Sequence, residues 1–373
     1  MFDIVIIGGN LSGSLAAINA AREDVSVALI EKHKEPCYPA HCGEGIADIT
    51  AELLNLDEMR CPKNEIGKVI VNVSSARKYT FKLSRNKMYI INRTFLENEL
   101  IKKAEEKGVE IFLGRRMKKF NSPSEVILDN NKKIYGKIII DASGISCIIG
   151  KQIGVRATLR SEDVGVCIQS RVQSHFDPHT AFFSYHEPYA PFGYAWVFPK
   201  NEKEANVGIG VNGGKNFDLK KSLDNYLDLI TNGSYKVIHT FRGCVPLALP
   251  LENLVENNVM FVGDAGRLAD PGSAAGIHNA VFSGTLAGLI AGRYILGESK
   301  SLKVYQEAMK NKTDKLIKTY YNKSKLTTGE KYQKAYNRAW SILSFLNSIF
   351  PNFFQGYIAK RLRKDFKIIS FFS

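Results

Sequence analysis

Phe2-Asp3-Ile4-Val5-Ile6-Ile7-Gly8-Gly9-Asn10-Leu11-Ser12-Gly13 is the stretch on which the fold turns. Its first six residues form a short apolar run rich in Ile and Val, the pattern of a strand buried on both faces. A glycine turn follows, and residues 14–21 are apolar and Ala-rich with helical character. A second short strand over 25–30 ends at Glu31. In this βαβ order a tight turn presents backbone N–H groups and a helix N-terminus to a pyrophosphate. Gly8 makes the turn, and Gly13 lets helix and strand approach closely. Glu31, 23 positions after Gly8, stands where a carboxylate accepts the ribose hydroxyls of an adenosine. Asn10 replaces the second glycine of the G-x-G-x-x-G fingerprint. Asn tolerates positive φ better than other residues that carry a side chain, so the turn is expected to survive.

The chain of 373 residues can hold one large domain or two around a sizeable core. Its net charge of +14 is concentrated near the end: residues 302–373 hold 15 Lys and Arg against 4 Asp and Glu. No fingerprint of a nucleic-acid-binding fold accompanies that charge, so nucleic acid is not an expected partner. An anionic membrane surface or a phosphorylated substrate suits it better. The six cysteines, at 37, 42, 61, 147, 167 and 244, form no C-x-x-C pair. Their density is too low for a disulfide framework, which agrees with a reducing compartment. No signal peptide precedes the first strand, and a cytoplasmic location is expected. No metal site is expected.

Onward from Glu31, residues 36–45 (Pro-Cys-Tyr-Pro-Ala-His-Cys-Gly-Glu-Gly) make a shaped loop. Its thiols, Cys37 and Cys42, raise a flavin disulfide reductase, which needs a second dinucleotide fold. Gly208-Ile209-Gly210-Val211-Asn212-Gly213 matches the glycine pattern, but Glu202, Lys203 and Glu204 stand upstream where a buried apolar strand is required. That segment reads instead as a strand followed by a glycine turn, and Cys37 as structural. Residues 66–91 alternate as hairpin strands do. A helix over 95–107 follows, with Arg93 at its start able to reach a phosphate. Strands are expected at 109–112, 115–120 and 125–128. Ile138-Ile139-Ile140-Asp141-Ala142-Ser143-Gly144 reads as a buried parallel strand ending in an acid and a tight turn, a frequent place for ligand contacts. Residues 163–211 are β-rich and aromatic. Within Tyr194-Ala195-Trp196-Val197-Phe198-Pro199-Lys200, strand periodicity sends Tyr194, Trp196 and Phe198 to one face. They make either a packed sheet face or the wall of a site for a long apolar ligand. A last strand over 258–262 runs into Gly263-Asp264, and Pro271, Gly272 and Gly276 precede a small-residue helix over 277–295.

In this order, Gly8–Gly13 with Glu31, Asp141–Gly144, and Gly263-Asp264 through Gly276 resemble the three FAD-binding motifs of the aromatic-hydroxylase-like flavoproteins. Within that group, Cys42-Gly43-Glu44-Gly45 and the 194–200 strand are similar to those of the geranylgeranyl reductases, whose archaeal members saturate digeranylgeranylglycerophospholipids. The resemblance covers roughly residues 1–300 and implies a fold and a division of labour. The fold is α/β with α+β insertions: a Rossmann-type FAD-binding domain (1–150 plus 245–300, with a hairpin insertion at about 62–92), an antiparallel β-sheet substrate domain (151–244) and a basic helical C-terminal region (301–373). It further implies FAD contacts from Gly8, Asn10, Ser12, Gly13, Glu31, Cys42, Gly43, Gly45, Arg93, Met117, Asp264, Gly276 and Ile277. Tyr194, Trp196 and Phe198 line the isoprenoid cavity, and Cys42 is the candidate acid. Ala274 and Ala275 depart from the glycines often found near the isoalloxazine. The implied reaction is hydrogenation of isolated C=C bonds of a prenylated lipid, with ferredoxin or NAD(P)H as electron donor. An FAD monooxygenase and a non-catalytic prenyl-lipid carrier are the alternatives.

The tail is helical and basic from Lys303. Residues 339–359 carry no charged side chain, long enough to raise a membrane span. Ser341, Ser344, Ser348, Asn352 and Gln355 lay a polar stripe along it, and Pro351 breaks it. Lying on the inner face of the membrane and packing on the protein's own core are both open readings of this stripe.

Overall fold

The computed structural model describes residues 1–36, 41–83, 87–155, 158–185, 188–214, 217–349 and 353–372, without the side chains of 353–355, 357–359 and 361–362. Cys37 therefore lies outside the described residues.

The founding strand β1 (Phe2–Ile7) pairs in parallel on both sides, with β2 (Val27–Glu31) and with β11 (Lys133–Asp141). Beyond β2 lies β8 (Glu110–Leu113); beyond β11 lies β18 (Val259–Phe261), itself edged by the antiparallel β17 (Val255–Glu256). An antiparallel pair, β9 (Met117–Asn121) and β10 (Glu125–Leu128), continues from β11. The apolar residues of β1, β2 and β11 are almost wholly buried because helices cover the parallel sheet. Those helices include α1 (Leu11–Ala20), α3 (Arg93–Glu106) and α6 (Ile277–Ile295). The close contact of α1 with α6 explains the small residues. A Cβ on Gly284 would stand 2.2 Å from the Ser12 carbonyl oxygen, and one on Gly288 2.3 Å from that of Ala16.

A small antiparallel sheet of β3 (Gly45–Ala47), β7 (Met88–Ile91) and β4 (Lys63–Ile66) carries α2 (Asp48–Leu53). The second large sheet has seven strands in the order β16 (Lys236–Pro246), β12 (Val164–Gln173), β15 (Glu204–Asn212), β14 (Tyr194–Pro199), β13 (Thr180–Ser184), β5 (Lys68–Ser74) and β6 (Arg77–Lys82). The hairpin β5–β6 thus leaves the N-terminal part of the chain to finish the other sheet, with β5 parallel to β13. Periodicity marks 66–91 as strands but cannot tell which sheet each one joins. Two short helices, α4 (Ile148–Gln152) and α5 (Leu219–Thr231), pack against the first and second sheets respectively.

Three helices close the chain: α7 (Lys303–Ser324), α8 (Gly329–Ile349) and α9 (Phe353–Phe372). The uncharged stretch 339–359 is accordingly divided between α8 and α9; Pro351 lies outside the described residues. Among the described residues no helix is long and apolar enough to cross a membrane. The helix α8 packs on the second sheet through Tyr332, Tyr336, Trp340 and Leu343, while Ile342, Phe345 and Ile349 are exposed. One face of this segment therefore covers core and another does not. The helix α9 is held to α6 by a buried group in which His278 Nε2 meets Asp365 (2.8 Å) and Lys312 pairs with the same carboxylate. Burial pushes the His278 imidazole below its ordinary range, and Asp365 is held low by His278 and Lys312 against the opposing pull of its own burial.

Candidate active site

The carboxyl ends of β1, β2, β11 and β18 lie side by side, where open α/β sheets bind ligands. Gly8 takes φ +109°, and a Cβ on Gly13 would fall 1.8 Å from the Gly8 oxygen. Both glycines are required there. Asn10 does not need positive φ, contrary to expectation: its φ is −80° and it serves as N-cap of α1. Its Oδ1 accepts from the Ser12 N–H (3.0 Å) and the Ser12 hydroxyl (2.8 Å), and its Nδ2 donates to the Ala142 oxygen (2.5 Å). A side chain here ties the glycine turn to the end of β11. Glu31 turns toward the same place, its Oε2 accepting from the Gly9 N–H (2.7 Å) and its Oε1 from the His33 N–H (2.8 Å).

The later motif arrives at this point. A Cβ on Gly263 would lie 3.0 Å from the Ser12 hydroxyl, and one on Gly276 3.5 Å from Asp264 Oδ1. Gly276 precedes Ile277 as N-cap of α6 and supplies no side-chain cap. The Leu11 N–H likewise has no partner among the described residues. Two helix N-termini with unspent donors, gathered about glycines, fit an anionic pyrophosphate. Met117 is buried at the start of β9, and the nearby Arg115 N–H donates to the Glu31 backbone oxygen (2.9 Å), so Met117 follows closely on the end of β2. Arg93 is drawn to a protein partner: its Nε donates to the buried Glu97 carboxylate at 3.1 Å. Asp141 is also internal. Its two oxygens accept from the Ser143 N–H and hydroxyl and from the Ile149 and Gly150 N–H groups, so this acid shapes the turn instead of meeting a ligand.

Across from this cradle stands β14. Tyr194, Trp196 and Phe198 share one face, with ring centroids 5.8 and 6.3 Å apart in succession. Loop 42–45 lies directly on them. A Cβ on Gly43 would be 2.9 Å from the Phe198 ring and one on Gly45 3.3 Å, so both glycines give the ring room. Trp196 in turn lies flat on β15, where a Cβ on Gly208 would be 2.2 Å from the indole. Gly208 and Gly210 are thus inside a strand, and Gly213 opens the turn that follows it, as the strand-then-turn reading of 208–213 expects. The spacing of the first two is a seat for an aromatic ring.

Two polar devices fasten the loop to the sheet. Gln169, buried on β12, donates to the Cys42 oxygen (2.9 Å) and accepts from Trp196 Nε1 (2.8 Å). Glu44, at φ +67°, accepts from Lys200 Nζ (2.7 Å), Asn206 Nδ2 (2.7 Å) and the Arg93 N–H (2.8 Å). Lys200 also donates to the Ile91 oxygen at 2.6 Å. Sequence reasoning missed Gln169, Asn206 and Lys200 as site residues, although polar side chains at inward positions of apolar strands mark the first two. Cys42 is half-buried, and its Sγ accepts from the Glu44 N–H at 3.2 Å. The Cys167 thiol, near the same rings, is pushed up to about 12 by burial, which disfavours its thiolate. Finally, the Tyr194 hydroxyl donates to the Ser273 oxygen at 2.8 Å. The aromatic wall touches the segment that leads into α6.

Two family descriptions match the chain: "Geranylgeranyl reductase catalytic domain" over residues 163–245 and "Glucose inhibited division protein A" over 3–162. Digeranylgeranylglycerophospholipid reductase 1 of Methanococcoides burtonii is 30% identical over 321 residues, covering 82% of this chain and 78% of that protein. The chain belongs to the digeranylgeranylglycerophospholipid reductase family. Reductase 2 of Methanothermobacter thermautotrophicus is also 30% identical, over 79% of this chain and 78% of its own length. Among solved structures, a geranylgeranyl bacteriochlorophyll reductase-like protein of Thermoplasma acidophilum has the same fold (TM-score 0.81, 24% identity, 97% of this chain and 99% of that one). A flavin-dependent brominase shares it more distantly (TM-score 0.71, 16% identity, 97% and 92%). At that identity the likeness to the brominase is one of fold alone.

Proposed function

We propose that this member of the family is an FAD-dependent reductase that saturates C=C bonds of geranylgeranyl chains in digeranylgeranylglycerophospholipids or closely related prenyl lipids. The observation that carries the reading is the Tyr194–Ser273 hydrogen bond, which joins the aromatic wall to the segment leading into α6. Ser12, Gly13, Glu31, Asp264, Gly276 and Ile277 would hold FAD, with Met117 beside the adenine. Bound and reduced, FAD supplies hydride to an alkene carbon. The chain's own residues do the rest. Tyr194, Trp196 and Phe198 orient an isoprenoid and keep water from it. Cys42 holds at Sγ the proton due to the neighbouring carbon.

The purified protein is expected to be yellow. Reduced anaerobically and mixed with digeranylgeranyl phospholipid, it should yield lipid heavier by about two mass units for each bond saturated. Unchanged lipid in the presence of bound, reduced FAD defeats the proposal; substrate-dependent oxygen uptake with NAD(P)H would indicate a monooxygenase instead.

The lipid substrate argues for a place on the membrane surface. The outer stripe of α8 begins with exposed Lys331, Lys334 and Arg338 and continues with exposed Ile342, Phe345 and Ile349. Basic and apolar side chains in sequence suit an anionic bilayer interface. Sedimentation with vesicles containing anionic lipid should fall at least tenfold in an Ile342→Ser, Phe345→Ser, Ile349→Ser triple variant, and unchanged sedimentation would reject this placement.

A further inference from the structure

Residues 270–276 connect the Gly263-Asp264 turn to α6, and their backbone is held from outside in an unusual way. Three successive carbonyls each accept a hydrogen bond from a different element. Lys323 Nζ of α7 donates to Pro271 (2.8 Å), the Tyr336 hydroxyl of α8 to Gly272 (2.8 Å), and the Tyr194 hydroxyl of β14 to Ser273 (2.8 Å). From within the segment, Asp270 Oδ1 accepts from the Gly272 and Ser273 N–H groups at 3.0 and 2.9 Å. The next residue, Ala274, sits at φ +59°, a left-handed conformation unfavourable to any residue with a Cβ. Such a conformation persists where its surroundings over-determine it. Here those surroundings are β14, Asp270 and two C-terminal helices.

Of these two helices, α8 also covers the aromatic sheet. Tyr336 stacks on Tyr185 (centroids 4.7 Å, planes 28° apart), and Tyr185 in turn packs against Tyr194 at 5.3 Å. Trp340 closes the row against Tyr185 (6.0 Å) and Phe81 (5.7 Å). Tyr336 therefore belongs both to the clamp and to the cover. Gly272 is seated tightly on α7, since a Cβ there would be 2.9 Å from Thr319 Cγ2.

We propose that α7 and α8 form a wall of the active site, in which Lys323 and Tyr336 are positioning residues that fix the 271–273 backbone for the flavin-facing edge of the site. The inference rests on the assignment of segment 264–277 to FAD made above. Lys323 is half-buried between α7 and this segment, and desolvation pulls its ammonium down to about 8, against the attraction of Asp270 and Asp163. It is retained in a setting that opposes its charge, with the Pro271 oxygen as its acceptor.

The test uses the full chain with Tyr336→Phe, which keeps the stacked ring and loses only the hydroxyl, and Lys323→Met. Exposed Lys315→Met on α7 is the surface control. Amide hydrogen exchange over 272–276, read in FAD-free protein, is expected to speed up about tenfold or more in both variants and not in the control. In FAD-loaded protein both should bind FAD about tenfold more weakly, shift the flavin visible band, and lower kcat with little change in KM. Wild-type exchange together with wild-type FAD affinity in both variants overturns the proposal. The exchange measurement needs no flavin, so it decides the clamp even for a protein that takes up no FAD. That separate outcome would defeat the functional reading instead.

Discussion

Lys200→Met is expected to lower the stability of the protein by about 3–5 kcal/mol, measured by chemical denaturation, because it strands a buried carboxylate. Glu44 and Lys200 have side chains 6% and 9% exposed, and their oxygen and nitrogen lie 2.7 Å apart. Water can compensate little of what the substitution removes. The remaining partners of Glu44, Asn206 Nδ2 and the Arg93 N–H, are neutral donors and cannot balance its charge. The damage should not stay local. Glu44 belongs to the loop lying on Phe198, Arg93 opens α3, and Lys200 also holds the Ile91 oxygen at the end of β7. Activity should fall further than stability alone explains. Lys200→Arg, which keeps a cation, should recover part of both, and a Lys200→Met protein with wild-type denaturation would show the pair to be dispensable.

Gly208→Ala should do the reverse, sparing the fold and disabling the site. A methyl group 2.2 Å from the Trp196 ring cannot be accommodated, so the indole must leave its seat on β15. Overpacking of this kind costs about 1–3 kcal/mol, which a chain of this size survives. Moving the indole breaks its bond to Gln169, and Gln169 is what fixes the Cys42 oxygen. Misplacement of about 1 Å in a positioned site costs on the order of a hundredfold in rate. We therefore expect kcat/KM for the prenyl lipid to fall about a hundredfold while FAD remains bound, as its spectrum and affinity report. Wild-type turnover by Gly208→Ala would remove Trp196 from the catalytic geometry.

What the sequence discloses and what it conceals follow from the range of the interactions. Glu31, Gly8 and Gly13 were legible because a βαβ turn is a local object, with residues about 20 apart forced together by strand and helix lengths. The common face of Tyr194, Trp196 and Phe198 was legible because strand period is local too. Asn10 was visible as a departure, but its role was not: a cap depends on φ, and its Nδ2 partner, Ala142, is distant in sequence. Asp141 looked like a ligand because strand-end acids often are, yet its donors come from the nine residues that follow it. Glu44 with Lys200, and Gln169 with Cys42, are pairs more than a hundred residues apart that no periodicity connects. The clamp from α7 and α8 was the least visible. The composition of the tail announces charge and grease, whereas its contact with Pro271 and Gly272 depends on two oriented donors.

The hairpin β5–β6 imposes a constraint on the architecture as a whole. By lending its outer strand pair to a sheet whose other members come from 164–246, the polypeptide stitches its two large sheets together with covalent thread. Cutting out 151–244 would bare the β5 edge of what remains, an open template for foreign strands. A cut at any single boundary in the chain therefore cannot separate the second sheet intact from the first.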